Sequence, residues 1–387
     1  MLIEDRLLKY CCRIKIGDRI RYDLSELLHS KLNWHYVLRE SANQAIPCLV
    51  YNNLSPFKDK IPEKIWIAFQ EIYYLNISRN IKIYQEANAL LSSFNKEGIK
   101  TIPLKGLFLA EKVYNNIALR GMADIDLLIK KEDLSRIDNV LGGLGYTTPM
   151  DKRLISLAMK RSYLNSADYF KPDGNAPHLH IHWHIVNVPL PTYLYTRRIK
   201  MERFWECAKL ANVADAETLQ LAPHHLIIYL AEHAVKHSFD RLIVLTDLNE
   251  SIKKYREDIN WEDLIEEARG LGMERQLYYG LYSINHFLDA DISQDVISQL
   301  RPKKMGLLEG RFFRSISNNA RDTKLSYFVY LSIVKGSLNK ARFIFRTLFP
   351  PPSALALAFN IDRPRVTAKD YLQFLREQLS HLKDCIF

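Results

Sequence analysis

The spacing of apolar positions along this chain changes period twice. Trp34, Val37, Leu38 and Ser41 recur at helical spacing, and residues 64–94 keep apolar side chains at i, i+3 and i+4 with few breakers. That period predicts helices over residues 1–95, divided by Pro47, Pro56 and Pro62. At Gly98 the pattern shifts. Residues 99–104 form a short apolar run, Lys105-Gly106 follows, and residues 107–114 read as a helix. A loop through Asn115-Asn116 leads to a predicted strand over 125–129, then to a helix over 132–144 closed by Gly142, Gly143 and Gly145. Tyr146 opens another extended segment. Residues 178–185 alternate with period two, which predicts a strand with His178, His180, His182 and His184 on one face and Leu179, Ile181, Trp183 and Ile185 on the other. Beyond Pro191 the chain reads as helical to its end, interrupted at Pro350-Pro351-Pro352.

These elements describe an α+β protein with a small mixed sheet over 96–190, between an N-terminal helical region (1–95) and a C-terminal helical region (191–387). Composition agrees: 48% hydrophobic and 25% charged residues can build a sizeable core and exclude disorder. No run of about 20 apolar residues is present, so no stable membrane insertion is expected. Glu4, Asp5, Arg6, Lys9 and Arg13 break the start where a secretory signal would be apolar, so a cytoplasmic location is expected. Cys11, Cys12, Cys48, Cys207 and Cys385 lack the spacing of a disulfide framework or a thiolate zinc site. A net charge of +10 suits a polyanionic partner without choosing among a nucleotide, a nucleic acid and an anionic surface.

The chemistry concentrates in Arg120-Gly-Met-Ala-Asp124-Ile-Asp126. Residues two apart on a strand share a face, so the carboxylates of Asp124 and Asp126 can converge on one or two divalent cations while Ile125 and Leu127 face the core. Pro103-Leu-Lys105-Gly106 ends a strand and opens a helix, where glycine permits close backbone approach and Lys105 supplies a positive charge to an anion.

The order Leu104-Lys-Gly106, Ala110-Glu-x-x-Tyr114, Arg120-x-x-x-Asp124-Ile-Asp-Leu127, Leu144-Gly-Tyr146 and His182-Trp183 resembles the bacterial uncharacterised nucleotidyltransferase family of the DNA polymerase β-like superfamily. The likeness extends to Trp34, Ile46-Pro-x-Leu-Val-Tyr51 and Ile61-Pro62 upstream. Downstream it takes in His233-Ala-Val-Lys-His237, Thr246-Asp247-Leu248 and Leu348-Phe-Pro350. The resemblance implies a nucleotidyltransferase-like core that moves an NMP group from a nucleoside triphosphate to an unidentified acceptor, with Mg²⁺ or Mn²⁺ as cofactor. Asp124 and Asp126 would hold the metal, Lys105 and Gly106 would meet the triphosphate, and Arg120 would neutralise developing charge or brace its loop. The family pattern also implies an Asp or Glu two residues before the His-Trp pair, and here that position is His180. Asp168 and Asp173 are candidates for the missing acid. Alternatively the metal preference has shifted, or nucleotide is bound without turnover.

Other clusters stay open. The histidines of 178–184 suit a transition metal such as zinc, which would make a histidine-metal module. His224, His225, Glu232, His233, His237 and Asp247 form a third group, in which His233 and His237 share a helix face. This group either packs the helical half against the core or lines the acceptor side of a cleft together with His182. Arg197, Arg198, Lys200 and Arg203 with Tyr193, Tyr195, Phe204 and Trp205 suggest RNA as one acceptor, gripped by phosphate contact and stacking. The stretch Arg342-Phe-Ile-Phe-Arg346 has the composition of a membrane-surface contact, whereas Leu348 and Phe349 before the prolines read as packing.

Overall fold

The computed structural model describes residues 2–148, 164–174, 176–188, 191, 193–307, 309–311, 313, 326–358 and 366–386. It is an α+β protein in which helices outnumber strands. The N-terminal helices are α1 (Ile3–Cys11), α2 (Asp18–Leu27), α3 (Trp34–Asn43), α4 (Pro47–Leu54) and the long α5 (Glu63–Lys96). Pro47 occupies the first turn of α4, where its missing N–H costs nothing, and Pro62 precedes α5. Gly98 ends α5 in the left-handed region at φ +65°, and the Ile99 N–H returns to the Phe94 carbonyl at 2.9 Å.

The sheet follows. Strand β1 (Thr101–Leu104) leads through α6 (Lys105–Lys112) to β2 (Asp124–Ile129), then come α7 (Leu134–Gly143), β3 (Ser166–Tyr169) and β4 (His178–His182). The strand order is β1-β2-β4-β3, with β1 antiparallel to β2, β2 parallel to β4, and β4 antiparallel to β3. Ile125, Leu127, Leu128 and Ile129 are all buried, so only the start of β2 opens one face to solvent. Thr147 bridges to Phe170, in line with the extended segment expected after Tyr146, while residues 149–163 lie outside the described part.

Two expectations are corrected. The strand ends at His182 instead of Ile185, because His184 turns back and its Nδ1 accepts the Val186 N–H at 2.9 Å. The chain beyond Pro191 is also not helical throughout: β5 (Lys209–Val213) and β6 (Ala216–Gln220) form a hairpin. Its turn residues Ala214 and Asp215 take φ of +53° and +57°. Asn88 and Asn95 of α5 clasp the hairpin by donating to the Ala214 and Glu217 carbonyls, and the Ala214 N–H donates to Glu111. Helices Pro223–Lys236, Leu242–Lys254 and Glu274–Leu288 then pack on one another, and Asp247 of the second reaches Arg120 in the loop before β2. No helix among the described residues is long and apolar enough to cross a membrane.

Candidate functional site

Strand register places the chemistry in one row. Leu104 of β1 pairs with Asp126, Asp126 with His180, and His180 with Asp168. Because alternate residues share a face, Asp124, Asp126, His178, His180, His182 and Asp168 all project from the same side of the sheet.

Contacts within the row are close. Lys105 Nζ donates to Asp126 Oδ1 at 2.9 Å, and His182 Nε2 lies 2.7 Å from the same oxygen. His180 Nδ1 is 3.5 Å from both Asp126 Oδ1 and Asp124 Oδ2, while its Nε2 pairs with Asp168 Oδ1. The position expected to be acidic is therefore an imidazole with a carboxylate behind it, contributed by the neighbouring strand. Asp173, the other candidate acid, lies exposed in the turn between β3 and β4.

The two leading aspartates differ in environment. Asp126 is buried, which opposes its charge, but Lys105 and then hydrogen bonds from His180 and His182 outweigh burial and hold its carboxyl well below the usual range. Asp124 is more open, and burial together with the Asp126 charge raises it. Hydrogen bonds to Asp126 and Asp168 push His180 up to about 10, whereas burial pulls His182 down against the attraction of Asp126. Asp168 is lowered by its bond from His180.

Lys105 reaches Asp126 because the chain bends sharply after β1. Its φ is +45°, a left-handed conformation that costs a non-glycine residue on the order of 1–3 kcal/mol. Gly106 next to it has no room for a side chain: a Cβ there would lie 2.8 Å from both Arg120 Nη1 and Met122 Cγ. The glycine thus lets α6 press onto the loop before β2.

That loop is held from both sides. From α5, Asn76 donates to the Ala118 carbonyl at 2.7 Å, and Asn80 to the carbonyls of Ile117 and, at 2.8 Å, Arg120. From the Leu242–Lys254 helix, buried Asp247 takes Arg120 in a two-pronged pair, Nε–Oδ1 at 2.9 Å and Nη2–Oδ2 at 2.7 Å, with the Tyr114 hydroxyl also on Oδ1 at 2.8 Å. Asp247 and Arg120 therefore engage each other under the loop. Asn76 and Asn80 were missed in the sequence, although two amides at i, i+4 inside an apolar helix face are a readable signal.

The last turn of the Pro223–Lys236 helix faces the aspartates. Burial holds His233 well below the usual imidazole range, with Lys105, His237 and Lys236 adding to it and Asp126 opposing. Burial and then Lys105 lower Lys236 to about 8, with Asp126 and Asp124 pulling the other way, and burial with Lys236 lowers His237 to about 4. The rings of His233 and His237 meet edge-on at 4.5 Å. Lys236 is a further site residue that the sequence reading did not single out. The rest of that histidine group disperses: His225 pairs with Glu267 at 3.0 Å, and Glu232 accepts from Tyr330 at 2.7 Å.

The basic-aromatic group also divides. Tyr195 and Phe204 are buried, and Arg203 pairs with Glu267. Arg197, Lys200 and Trp205 instead line a cleft of about 610 Å³ with Lys130, Lys131 and Trp183, at the end of the parallel strands away from Asp124.

Asp126, His180 and His182 each offer a ligand atom, and these atoms lie within 4.8 Å of one another, which fits a metal ion. A search of curated proteins gives no match. The family model for uncharacterised nucleotidyltransferases matches residues 30–289, a span containing every residue of this site. With that span covering well over half of the sequence, the chain belongs to the uncharacterised nucleotidyltransferase family.

Proposed function

We propose that the protein moves an NMP group from a nucleoside triphosphate to an acceptor hydroxyl or amine, using a divalent cation held by Asp124 and Asp126 with His180 where a third acid would stand. The observation that carries this reading is the row Asp126–His180–Asp168 on one sheet face, fronted by Lys105 and Lys236. Asp126, His180 and His182 stand close enough to share one cation, with Asp124 beside His180, and a donor set that mixes carboxylate with imidazole favours Mn²⁺ over Mg²⁺. Bound there, the cation would supply Lewis-acid neutralisation of the triphosphate.

The chain's own residues do the remaining work. Lys105 now compensates Asp126; once a cation takes over that role, its ammonium is freed for phosphate, and Lys236, near enough to feel the charges of Asp126 and Asp124, adds a second positive charge to the site. Arg120, held by Asp247, braces the loop that presents Asp124. The acceptor oxygen or nitrogen bonds to the α-phosphorus as the α–β bridging bond breaks, so pyrophosphate leaves with the bond's electron pair. The acceptor's proton passes to solvent; His233 and His237, which burial holds well below the usual imidazole range, stay uncharged at neutral pH and are too weakly basic to take it.

The test is transfer of labelled α-phosphate from NTP in cell extract supplemented with Mn²⁺ or Mg²⁺. Asp126→Asn is expected to abolish labelling, and a lower half-saturating concentration is expected for Mn²⁺ than for Mg²⁺. Labelling that survives Asp126→Asn would sink the proposal. A second reading, nucleotide binding without turnover, is favoured by His180 itself, an imidazole paired with Asp168 at the position where a third acid would stand. Metal-dependent NTP binding with no label moved to any acceptor would select it.

A further inference from the structure

The helix Ser337–Leu348, beyond the family-matched residues, packs inside out. At 3.6 residues per turn, Leu338, Ala341, Ile344, Phe345 and Leu348 fall on one arc of about 120°. A helix lying on a protein body turns such an arc inward. Here Phe343, on the opposite side, is the helix's one buried residue. Leu338 is 84% exposed, Phe345 56% and Ile344 46%, and Phe349, 40% exposed, extends the patch with its ring 5.2 Å from that of Phe345.

Charge borders the arc on both sides. Lys340 flanks one edge, Arg342 and Arg346 the other, and Lys335 precedes the helix. Between Asp322 and Asp362 the sequence holds no acidic residue. An outward apolar arc with a cationic rim and no carboxylate complements an anionic lipid surface, where the arc enters the acyl boundary and the rim meets headgroups. A second copy is a poorer fit. Twelve residues span about 18 Å, so the arc offers on the order of 200–300 Å², against about 800 Å² per partner in a stable dimer, and a two-fold contact would set the cationic rims against each other.

We propose that Ser337–Leu348 is a peripheral membrane-surface helix that seats the protein on an anionic bilayer, Leu338, Ile344, Phe345 and Phe349 entering the lipid and Lys340, Arg342 and Arg346 contacting headgroups. The proposal is independent of the nucleotidyl-transfer reading.

The experiment is co-sedimentation of the full chain with vesicles of phosphatidylcholine alone or with about 30% phosphatidylglycerol. Partition is expected to be about 100-fold stronger on the anionic vesicles, from three rim cations at roughly fivefold each, and to fall with salt. Ile344→Ser/Phe345→Ser is expected to lower it at least about 10-fold, and Arg342→Glu/Arg346→Glu to remove the preference for phosphatidylglycerol. Both pairs are exposed or half-exposed, so the unfolding midpoint stays unchanged and loss of fold is distinguishable. No partition of the full chain, or partition indifferent to both variants, overturns the proposal. So does a dimer that Phe345→Ser dissolves, or oligouridylate retention by this helix, if either appears without vesicle binding.

Discussion

Arg120 and Asp247 form a buried pair whose replacement separates bracing from substrate contact. In Asp247→Ala the guanidinium loses both prongs, at 2.9 and 2.7 Å, and the Tyr114 hydroxyl loses its acceptor. Removing one partner of a buried pair typically costs 3–5 kcal/mol, and the orphaned hydroxyl adds about 1 kcal/mol. Against a total stability on the order of 5–15 kcal/mol, the single variant is left marginal. Arg120→Met/Asp247→Leu removes both charges and fills the volume, so it is expected to recover about 3 kcal/mol of the summed single-variant losses. Urea unfolding, followed by tryptophan fluorescence and circular dichroism together, reads the cycle. If Arg120 only braces, the double variant binds Mn²⁺-NTP within about threefold of the parent. Additive losses with no coupling would refute the pair as the loop's anchor, and a large loss of NTP binding with stability restored would put Arg120 on the nucleotide.

Further outcomes are expected elsewhere. Burial raises Glu232 from 4.5 to about 7 against its bond from Tyr330, so the folded state holds a proton that the unfolded chain releases. That stability is full below pH 4.5 and is lost as pH rises through 7. Glu232→Gln should therefore match the parent near pH 4.5 and exceed it by up to about 3 kcal/mol at pH 8 in pH-dependent unfolding; equal differences at both pH values would contradict the assignment. Gly106→Ala must push its methyl against Arg120 and Met122, each 2.8 Å away, and should cost about 1–3 kcal/mol in the same unfolding assay. Lys236→Met should weaken Mn²⁺-NTP binding about 10-fold by calorimetry, with Lys236→Arg restoring most of it, because a charge facing phosphate matters more than its shape.

Much of the fold was legible because the chain punctuates itself. Pro47, Pro62 and Gly98 mark helix ends by backbone chemistry, and Asp124, Ile125 and Asp126 alternate as a strand open on one face must. The β5–β6 hairpin was not legible: Lys209–Gln220 is rich in alanine, has only Val213 and Thr218 as β-branched residues, and turns on Ala-Asp instead of Asn-Gly. Within the site, spacing and resemblance pointed to Asp124, Asp126, Lys105, His180 and His182, with Asp168 as a candidate acid, but not to which of their atoms meet. Register alone sets Asp168 behind His180, and tertiary packing alone brings Lys236 across from Asp126. The four-histidine face lost His184 to a local bond with Val186, a competition between side chain and strand that alternation does not encode.

The loop clasped by Asn76, Asn80 and Asp247 also has a consequence in time. Its α5 clamps precede it in the chain, but Asp247 follows Arg120 by 127 residues. At about 5–20 residues per second, a ribosome adds Asp247 roughly 6–25 s after Arg120. During that interval the loop before β2 has only its Asn76 and Asn80 clamps, with Arg120 lacking its carboxylate, and a translation product truncated before Asp247 would keep that half-clasped loop.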